Sequence, residues 1–245
     1  MARVLLIVPC YNEAQRLPVE QFASYALPGH SLHFLFVNDG SLDNTSEVLA
    51  GLCARVPERL SFLDLPQNGG KAEAVRQGFL HGAAQVPDVM GFLDADLATP
   101  LSEIPRFMEV LGSRPEVELV FGARVQLLGR TIERQAVRHY FGRIFATAAS
   151  MTLQLPIYDT QCGAKFFRFS PPMMELFERP FLSRWIFDVE ILARFLEQQR
   201  AQGKDPRGAI YELPLREWRD VKGSKVKTQD GFRAFGELAR IWWTY

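Results

Sequence analysis

Five short runs of almost unbroken Val, Ile, Leu and Phe, separated by stretches of helical spacing, restrict this chain more than any other feature. The runs are Arg3–Val8, Leu32–Asn38, Leu60–Leu65, Val89–Leu93 and Leu119–Ala123. Between them, apolar residues recur at helical intervals over Glu13–Tyr25, Asn44–Arg55, Lys71–His81 and Ser102–Leu111. A strand without polar alternation is buried on both faces. Strands of that kind joined through helices predict an α/β fold: a mostly parallel central sheet flanked by helices, with right-handed crossovers. After Ala123 the pattern changes. A long helix is predicted from about Glu133 to Leu153, a turn at Pro156, and a strand near Lys165–Phe169. A helix follows from near Asp188 to Gln199, then a hairpin over Ala209–Trp218 and a helical end from about Asp230.

A chain of 245 residues that is 47% hydrophobic and 23% charged can bury a substantial core and is too apolar to be disordered. Equal numbers of basic and acidic residues, 28 each, argue against a nucleic-acid or general polyanion binder. Cys10, Cys53 and Cys162 are odd in number and lack a CxxC spacing. That excludes a disulfide framework and a zinc knuckle, and fits a reducing compartment. A membrane span needs about 18 apolar residues. The best run, 144–158, is interrupted by Thr147, Ser150, Thr152, Gln154 and Pro156. Val4–Val8 is short for a signal-peptide core and lacks a small-residue cleavage site, so it is expected to be a buried strand.

In open α/β sheets, ligands bind beyond the carboxyl ends of the strands. Here those ends are Pro9-Cys10-Tyr11-Asn12-Glu13, Asn38-Asp39-Gly40-Ser41, Asn68-Gly69-Gly70-Lys71 and Asp94-Ala95-Asp96. Two carboxylates two residues apart after a buried strand can turn toward one divalent cation, leaving positions open for phosphate oxygens. The Gly69-Gly70-Lys71 loop is not a P-loop, because Leu65 stands where the first glycine is required and Ala72 follows the lysine. A glycine pair at a helix start still suits close approach to a phosphate.

In this order the four loops resemble the inverting family 2 glycosyltransferases of the GT-A fold. The later blocks Gly122-Ala123-Arg124, Asp159-Thr160-Gln161-Cys162-Gly163-Ala164-Lys165, Arg184-Trp185-Ile186-Phe187-Asp188-Val189-Glu190 and Gly223-Ser224-Lys225 resemble the dolichyl-phosphate β-glucosyltransferase branch, close to the dolichyl-phosphate mannosyltransferases. The resemblance implies a nucleotide-diphospho-sugar transferase in one domain over 1–245. Residues 1–123 would form the nucleotide half, 124–229 the acceptor half and 230–245 an amphipathic end. It implies a donor site of Pro9, Tyr11, Glu13, Val37, Asp39, Lys71, Asp94, Ala95, Asp96 and Arg124. Asp94 and Asp96 would hold Mg²⁺ or Mn²⁺. Asp188 would face the acceptor, and Arg219 and Lys225 would close over the phosphates. Arg138, Arg143 and Lys165 would meet the acceptor phosphate. Two positions depart from the pattern. Asn38 replaces the usual first acid of its loop, and Ala98 stands where mannosyltransferases carry a Gln metal ligand.

The residue chemistry agrees with this reading. A departing nucleotide diphosphate is stabilised by a divalent cation and by Lys or Arg. Five arginines (124, 130, 134, 138 and 143) face one acid, Glu133, in that stretch, which suits an anionic acceptor. Seven basic and four acidic residues lie between Arg216 and Arg240, and Phe232, Phe235, Leu238, Ala239 and Trp242 share one helical face. Such an end fits either a membrane interface or the domain core. The expected reaction is transfer of glucose from UDP-glucose to a polyprenyl or dolichyl phosphate, by a peripheral protein on the cytoplasmic membrane face. The rivals are mannose from GDP-mannose, a lipid or glycan hydroxyl as acceptor, and a nucleotide-sugar-binding regulator without activity.

Overall fold

In the computed structural model all five apolar runs become strands of one sheet. The structure describes residues 1–133, 136–221 and 228–245, with backbone alone for 136–141 and 228–232. Strands and helices alternate first: β1 (Arg3–Cys10), α1 (Val19–Ser24), β2 (Ser31–Asn38), α2 (Thr45–Arg55), β3 (Leu60–Asp64), α3 (Lys71–Gly82), β4 (Val89–Leu93), α4 (Ile104–Ser113) and β5 (Leu119–Ala123). There follow β6 (Thr131–Glu133), α5 (Ala136–Leu153), β7 (Ala164–Arg168), α6 (Pro171–Glu178), α7 (Phe187–Ala201), α8 (Pro206–Ala209), β8 (Ile210–Pro214), β9 (Glu217–Arg219) and α9 (Thr228–Thr244).

The seven-stranded sheet runs β3-β2-β1-β4-β7-β5-β8. Every neighbouring pair is parallel except those of β7, which is antiparallel to β4 on one side and β5 on the other. Strand residues alternate between two cores. Val4, Leu6 and Val8 join Phe22, Leu49 and Phe107 beneath α1, α2 and α4. Leu5 and Ile7 join Phe79, Phe167, Phe177 and Leu192 beneath α3, α6 and α7. Contact is close where α3 crosses β1. A Cβ on Gly78 would lie 2.5 Å from the Ile7 side chain, so the glycine lets the helix approach the sheet.

Three expectations change. The helix expected over Glu13–Tyr25 begins only at Val19, because Pro18 lacks an amide and biases its predecessor away from the helical region. The hairpin over Ala209–Trp218 does not form. Ile210–Pro214 pairs parallel with β5, and Glu217–Arg219 pairs parallel with β6. A helix not foreseen, α6, starts at Pro171 with the Ser170 hydroxyl accepting from the Met173 amide at 3.2 Å. That cap with proline at the first helical position was a readable start signal.

The C-terminal helix settles on the protein core. Of the face expected to be apolar, Phe235 and Leu238 pack inward, whereas Ala239 and Trp242 are exposed. The docked row is Ala234, Phe235, Leu238, Ile241 and Tyr245, the three- and four-residue spacing of a helix lying on a surface. Trp242 and Trp243 remain 62% and 84% exposed. Phe235 meets Phe145 of α5 edge-on at 5.8 Å. Ile241→Ala should therefore cost about 2–5 kcal/mol, whereas Trp242→Ala should stay within about 0.5 kcal/mol. Urea unfolding of the two variants measures this, and equal losses would contradict the docked face.

Candidate active site

Because β1, β2 and β4 are parallel neighbours, their carboxyl ends open on one rim. A cavity of about 320 Å³ lies there. Pro9, Tyr11 and Glu13 reach it from β1, Asp39 from β2, Lys71 from the start of α3, and Asp94, Ala95 and Asp96 from β4. These are eight of the residues expected at the donor site. Val37, also expected there, is fully buried in the core, because its side chain lies beneath α3 beside Gly78 and does not reach the rim.

Asp94 occupies a seat that only glycine allows. Its amide donates to the Gly163 carbonyl at 3.1 Å. Its carboxylate lies where a Cβ on Gly163 would stand, with Oδ2 1.9 Å from that position. The Lys71 ammonium makes an ion pair with Asp94 Oδ1. Burial opposes the lysine's charge, but Asp94, Asp188 and Asp96 outweigh it and hold the ammonium above its usual range. Asp96 Oδ1 accepts from the Ala98 amide at 3.1 Å, and Arg16 approaches Oδ2 at 3.9 Å. Burial first, and the charge of Asp94 second, raise the Asp96 carboxyl above the usual aspartate range.

Among the described residues no group of three or more His, Cys, Asp or Glu could hold a metal ion. Two hard carboxylates beside an open cavity suit Mg²⁺ or Mn²⁺, whose remaining positions are filled by phosphate oxygens and water. Ala98 is buried and offers only a methyl group, so it adds no ligand.

Asp39 is held from the neighbouring loop. Its Oδ1 accepts from the Gly69 amide at 2.8 Å, and its Oδ2 from the Gly70 amide at 2.8 Å and the Asn68 side chain at 2.9 Å. Burial raises this carboxyl, and the two amides and the charge of Arg184 oppose the rise without cancelling it. The cavity also contains Arg16, Asn68, Arg184 and Trp185, which are not among the residues expected there from sequence. Arg184 and Trp185 stand four and three residues before Asp188, and that adjacency was the available signal. Arg184 Nε donates to Gly69 O at 3.0 Å and Nη2 to Asn68 Oδ1 at 2.8 Å. Trp185 is 43% exposed at the mouth.

Three expected placements change. Lys165 was expected at the acceptor phosphate, yet it is 0% exposed. Its Nζ donates to Thr160 O at 3.0 Å, Cys162 O at 2.9 Å and Asp188 Oδ1 at 2.5 Å. All three protons are engaged, so none remains for a phosphate. Asp188 was expected to face the acceptor. It is buried against Lys165 and lines neither of the two cavities. Arg124, expected with the donor residues, lines instead a second, smaller cavity of about 40 Å³ with Arg143, Tyr158, Asp159, Thr160 and Gln161, because Asp159 draws its guanidinium there. Its guanidinium grips Asp159 through Nε at 2.6 Å and Nη2 at 2.8 Å. Burial works against that charge, but Asp159 outweighs it and holds the guanidinium above its ordinary value; Asp94 adds to the effect. Arg143 Nη1 donates to Tyr158 O at 3.1 Å, and its guanidinium lies 3.8 Å from the Tyr158 ring centre. The Thr160 hydroxyl and Gln161 Nε2 are buried without a hydrogen-bond partner. Arg219 is exposed on β9, with its amide donating to Ala98 O at 3.1 Å. The side chain of Arg138 and all of Lys225 lie outside the described residues.

A mostly parallel sheet with one antiparallel strand inserted, and an Asp-Ala-Asp at the end of β4, define a GT-A nucleotide-diphospho-sugar transferase fold. The chain belongs to glycosyl transferase family 2, whose sequence model matches residues 5–171. Relatives include a dolichyl-phosphate beta-glucosyltransferase of Drosophila melanogaster, 31% identical over 98% of this chain and 74% of that protein. Another is that of Saccharomyces cerevisiae, 29% identical over 90% of this chain and 68% of that protein. Among solved structures, glucosyl-3-phosphoglycerate synthase from Mycobacterium tuberculosis in complex with Mn²⁺, uridine-diphosphate and glucosyl-3-phosphoglycerate has the same fold. Its TM-score is 0.65 at 17% identity, covering 98% of this chain and 80% of that one.

Gly163→Ala should displace the Asp94 carboxylate and, where the Asp94 and Asp96 pair holds a divalent cation, weaken nucleotide binding with Mn²⁺ at least tenfold, or about 1.4 kcal/mol, while the fold survives. Calorimetry with and without Mn²⁺ reads this, and wild-type affinity would refute the seat. Asp188→Asn leaves the Lys165 ammonium buried without its counter-charge. Breaking such a pair costs about 3–5 kcal/mol. The variant should lose that much in urea unfolding, and unchanged stability would contradict the structural role.

Proposed function

We propose that this chain transfers glucose from UDP-glucose to the phosphate of dolichol or another polyprenol, with inversion at the sugar C1. The observation that carries the reading is a cavity holding the Asp94 and Asp96 pair with a smaller one beside it, where Asp159 pairs with Arg124 and leaves Arg143 as the further cation. Asp94 and Asp96 face the first, and Arg124, Arg143 and the unpartnered Thr160 and Gln161 groups face the second. The names of the relatives, matched over nearly the whole chain, support the sugar and the acceptor. Uridine-diphosphate with Mn²⁺ in the synthase of the same fold supports the donor and metal.

The chemistry follows from the residues. An acceptor phosphate oxygen attacks C1 from the side opposite the nucleotide. The C1–oxygen bond breaks, and its electron pair leaves on the diphosphate. Asp94 and Asp96 would hold Mg²⁺ or Mn²⁺, which when bound neutralises charge on that leaving group. Lys71 stands beside the same carboxylates, and Arg219 lies next to the Ala98 loop. Arg143, the Thr160 hydroxyl and Gln161 Nε2 supply donors for the acceptor phosphate. Arg138 and Lys225 belong to the same proposal by sequence.

A lipid phosphate arrives already anionic, so it needs no base to remove a proton. A hydroxyl acceptor does need one. The carboxylates that line the cavity are engaged: Glu13 by Arg16, Asp39 by the Gly69 and Gly70 amides, Asp94 by Lys71 and Asp96 by the Ala98 amide. This favours the phosphate acceptor over a lipid or glycan hydroxyl. No helix among the described residues is long and apolar enough to cross a membrane. We place the enzyme peripherally on the cytoplasmic membrane face, where exposed Trp242, Trp243, Arg233 and Arg240 of α9 suit an anionic interface.

The test incubates the purified chain with radiolabelled UDP-glucose, Mn²⁺ and vesicles containing dolichyl phosphate. Label should enter the organic extract as an acid-labile lipid, and Asp96→Ala should lower the rate at least about 10²-fold. Preference for GDP-mannose would replace the donor. Transfer to diacylglycerol but not to dolichyl phosphate would replace the acceptor.

A further inference from the structure

The cavity wall formed by Arg184 and Trp185 lies outside the stretch that the family model matches, which ends at residue 171. Its conformation is set from far along the chain. Ser183, 1% exposed, accepts from the Trp185 amide at 3.1 Å and the Ile186 amide at 2.8 Å. Its one proton is donated to Glu237 Oε2, on α9, fifty-four residues later. The hydroxyl is thereby saturated, with two protons accepted and one given. A charged acceptor on its proton makes the oxygen a better acceptor for the two amides.

A second brace lies alongside. Glu190 Oε2 accepts from the Leu182 amide at 2.7 Å, and its Oε1 accepts from Arg194 at 2.7 Å and from the Tyr245 hydroxyl at 3.1 Å. Arg194 also donates to the carbonyls of Arg179 and Pro180. Both ends of segment 179–186 are therefore tied to α9 or to residues that α9 contacts. From that segment Arg184 crosses the Gly69–Gly70 turn. A Cβ on Gly70 would lie 2.8 Å from Arg184 Nε, so the arginine rests where a side chain is missing. The same turn gives its amides to Asp39.

We infer that Glu237 and Ser183 are positioning residues for the donor cavity. They lock the turn that holds Trp185 at the mouth and Arg184 on the Gly69–Gly70 loop, so the docked C-terminal helix sets the shape of the nucleotide-sugar site. This deepens the proposed function, since the occupant of that cavity is the donor. Neither residue touches the cavity, so both act through Arg184 and Trp185.

The experiment compares the full chain with Glu237→Ala, Glu237→Gln and Ser183→Ala. Hydrogen exchange reports on the Trp185 and Ile186 amides, and donor affinity and steady-state kinetics are measured with UDP-glucose and Mn²⁺. Glu237→Ala should speed exchange at both amides. It should raise the donor dissociation constant and KM about tenfold, the worth of one hydrogen bond to a charged group, and leave kcat within about twofold. Glu237→Gln keeps an acceptor oxygen and should recover most of the affinity. Ser183→Ala removes both amide bonds and should match or exceed the effect of Glu237→Ala; if it fails to fold, the two Glu237 variants decide. Unchanged exchange in Glu237→Ala would overturn the inference. So would faster exchange with unchanged donor affinity, or a loss confined to kcat. Failure of the wild-type chain to bind UDP-glucose would count against the proposed donor alone, and exchange would still decide the bracing.

Discussion

The Lys165 ammonium is the interaction on which the rest of the site stands. It is a full positive charge inside the protein, and removing such a charge from water costs several kcal/mol unless its partners are well placed. Here they are. Asp188 supplies the counter-charge from the first turn of α7, and the Thr160 and Cys162 carbonyls take the other two protons. The rings of Phe92 and Phe121 lie 5.5 and 5.9 Å away. One ammonium thus joins β7, the loop before it and α7. That loop carries Gly163, on which Asp94 sits, and Asp159, which fixes Arg124. The same helix α7 follows directly on Arg184 and Trp185.

The antiparallel insertion of β7 explains why this arrangement is possible. Were β7 parallel to its neighbours, its N-terminal loop would lie at the opposite edge of the sheet, away from the rim. Running the other way, β7 leaves its N-terminal loop beside the carboxyl end of β4, opposite Leu93 and Asp94. The acidic pair and the arginine-bearing cavity are therefore neighbours through a single loop. The buried Cys162 lies in it, and burial pushes its thiol up to about 11, so it packs rather than reacts.

Most charged groups at the cavity already have protein partners. Glu13, Asp39, Asp94 and Asp96 are each held by a named donor. Side chains fixed in this way need little reorganisation when charge develops nearby, which is the physical basis of electrostatic preorganisation. The C-terminal helix extends that fixation to the mouth of the cavity through Ser183.

Much of this protein was legible in its sequence. Unbroken apolar runs require strands buried on both faces, and the parallel rim follows from their alternation with helices. The placement of Tyr11, Asp39, Asp94 and Asp96 at strand ends then puts them in one cavity, because strand ends need no long-range information to locate. Pairing across distance was not legible. Lys165 could be a phosphate ligand or a buried counter-ion, and only the packing of β7 against α7 chose. The face of α9 and the loss of the hairpin at Ala209–Trp218 were decided likewise by what lay opposite, since local spacing fixes an element's periodicity but not its neighbour. Arg184 entered the site because Gly70, more than a hundred residues earlier, leaves room for it. That complementarity exists only in three dimensions.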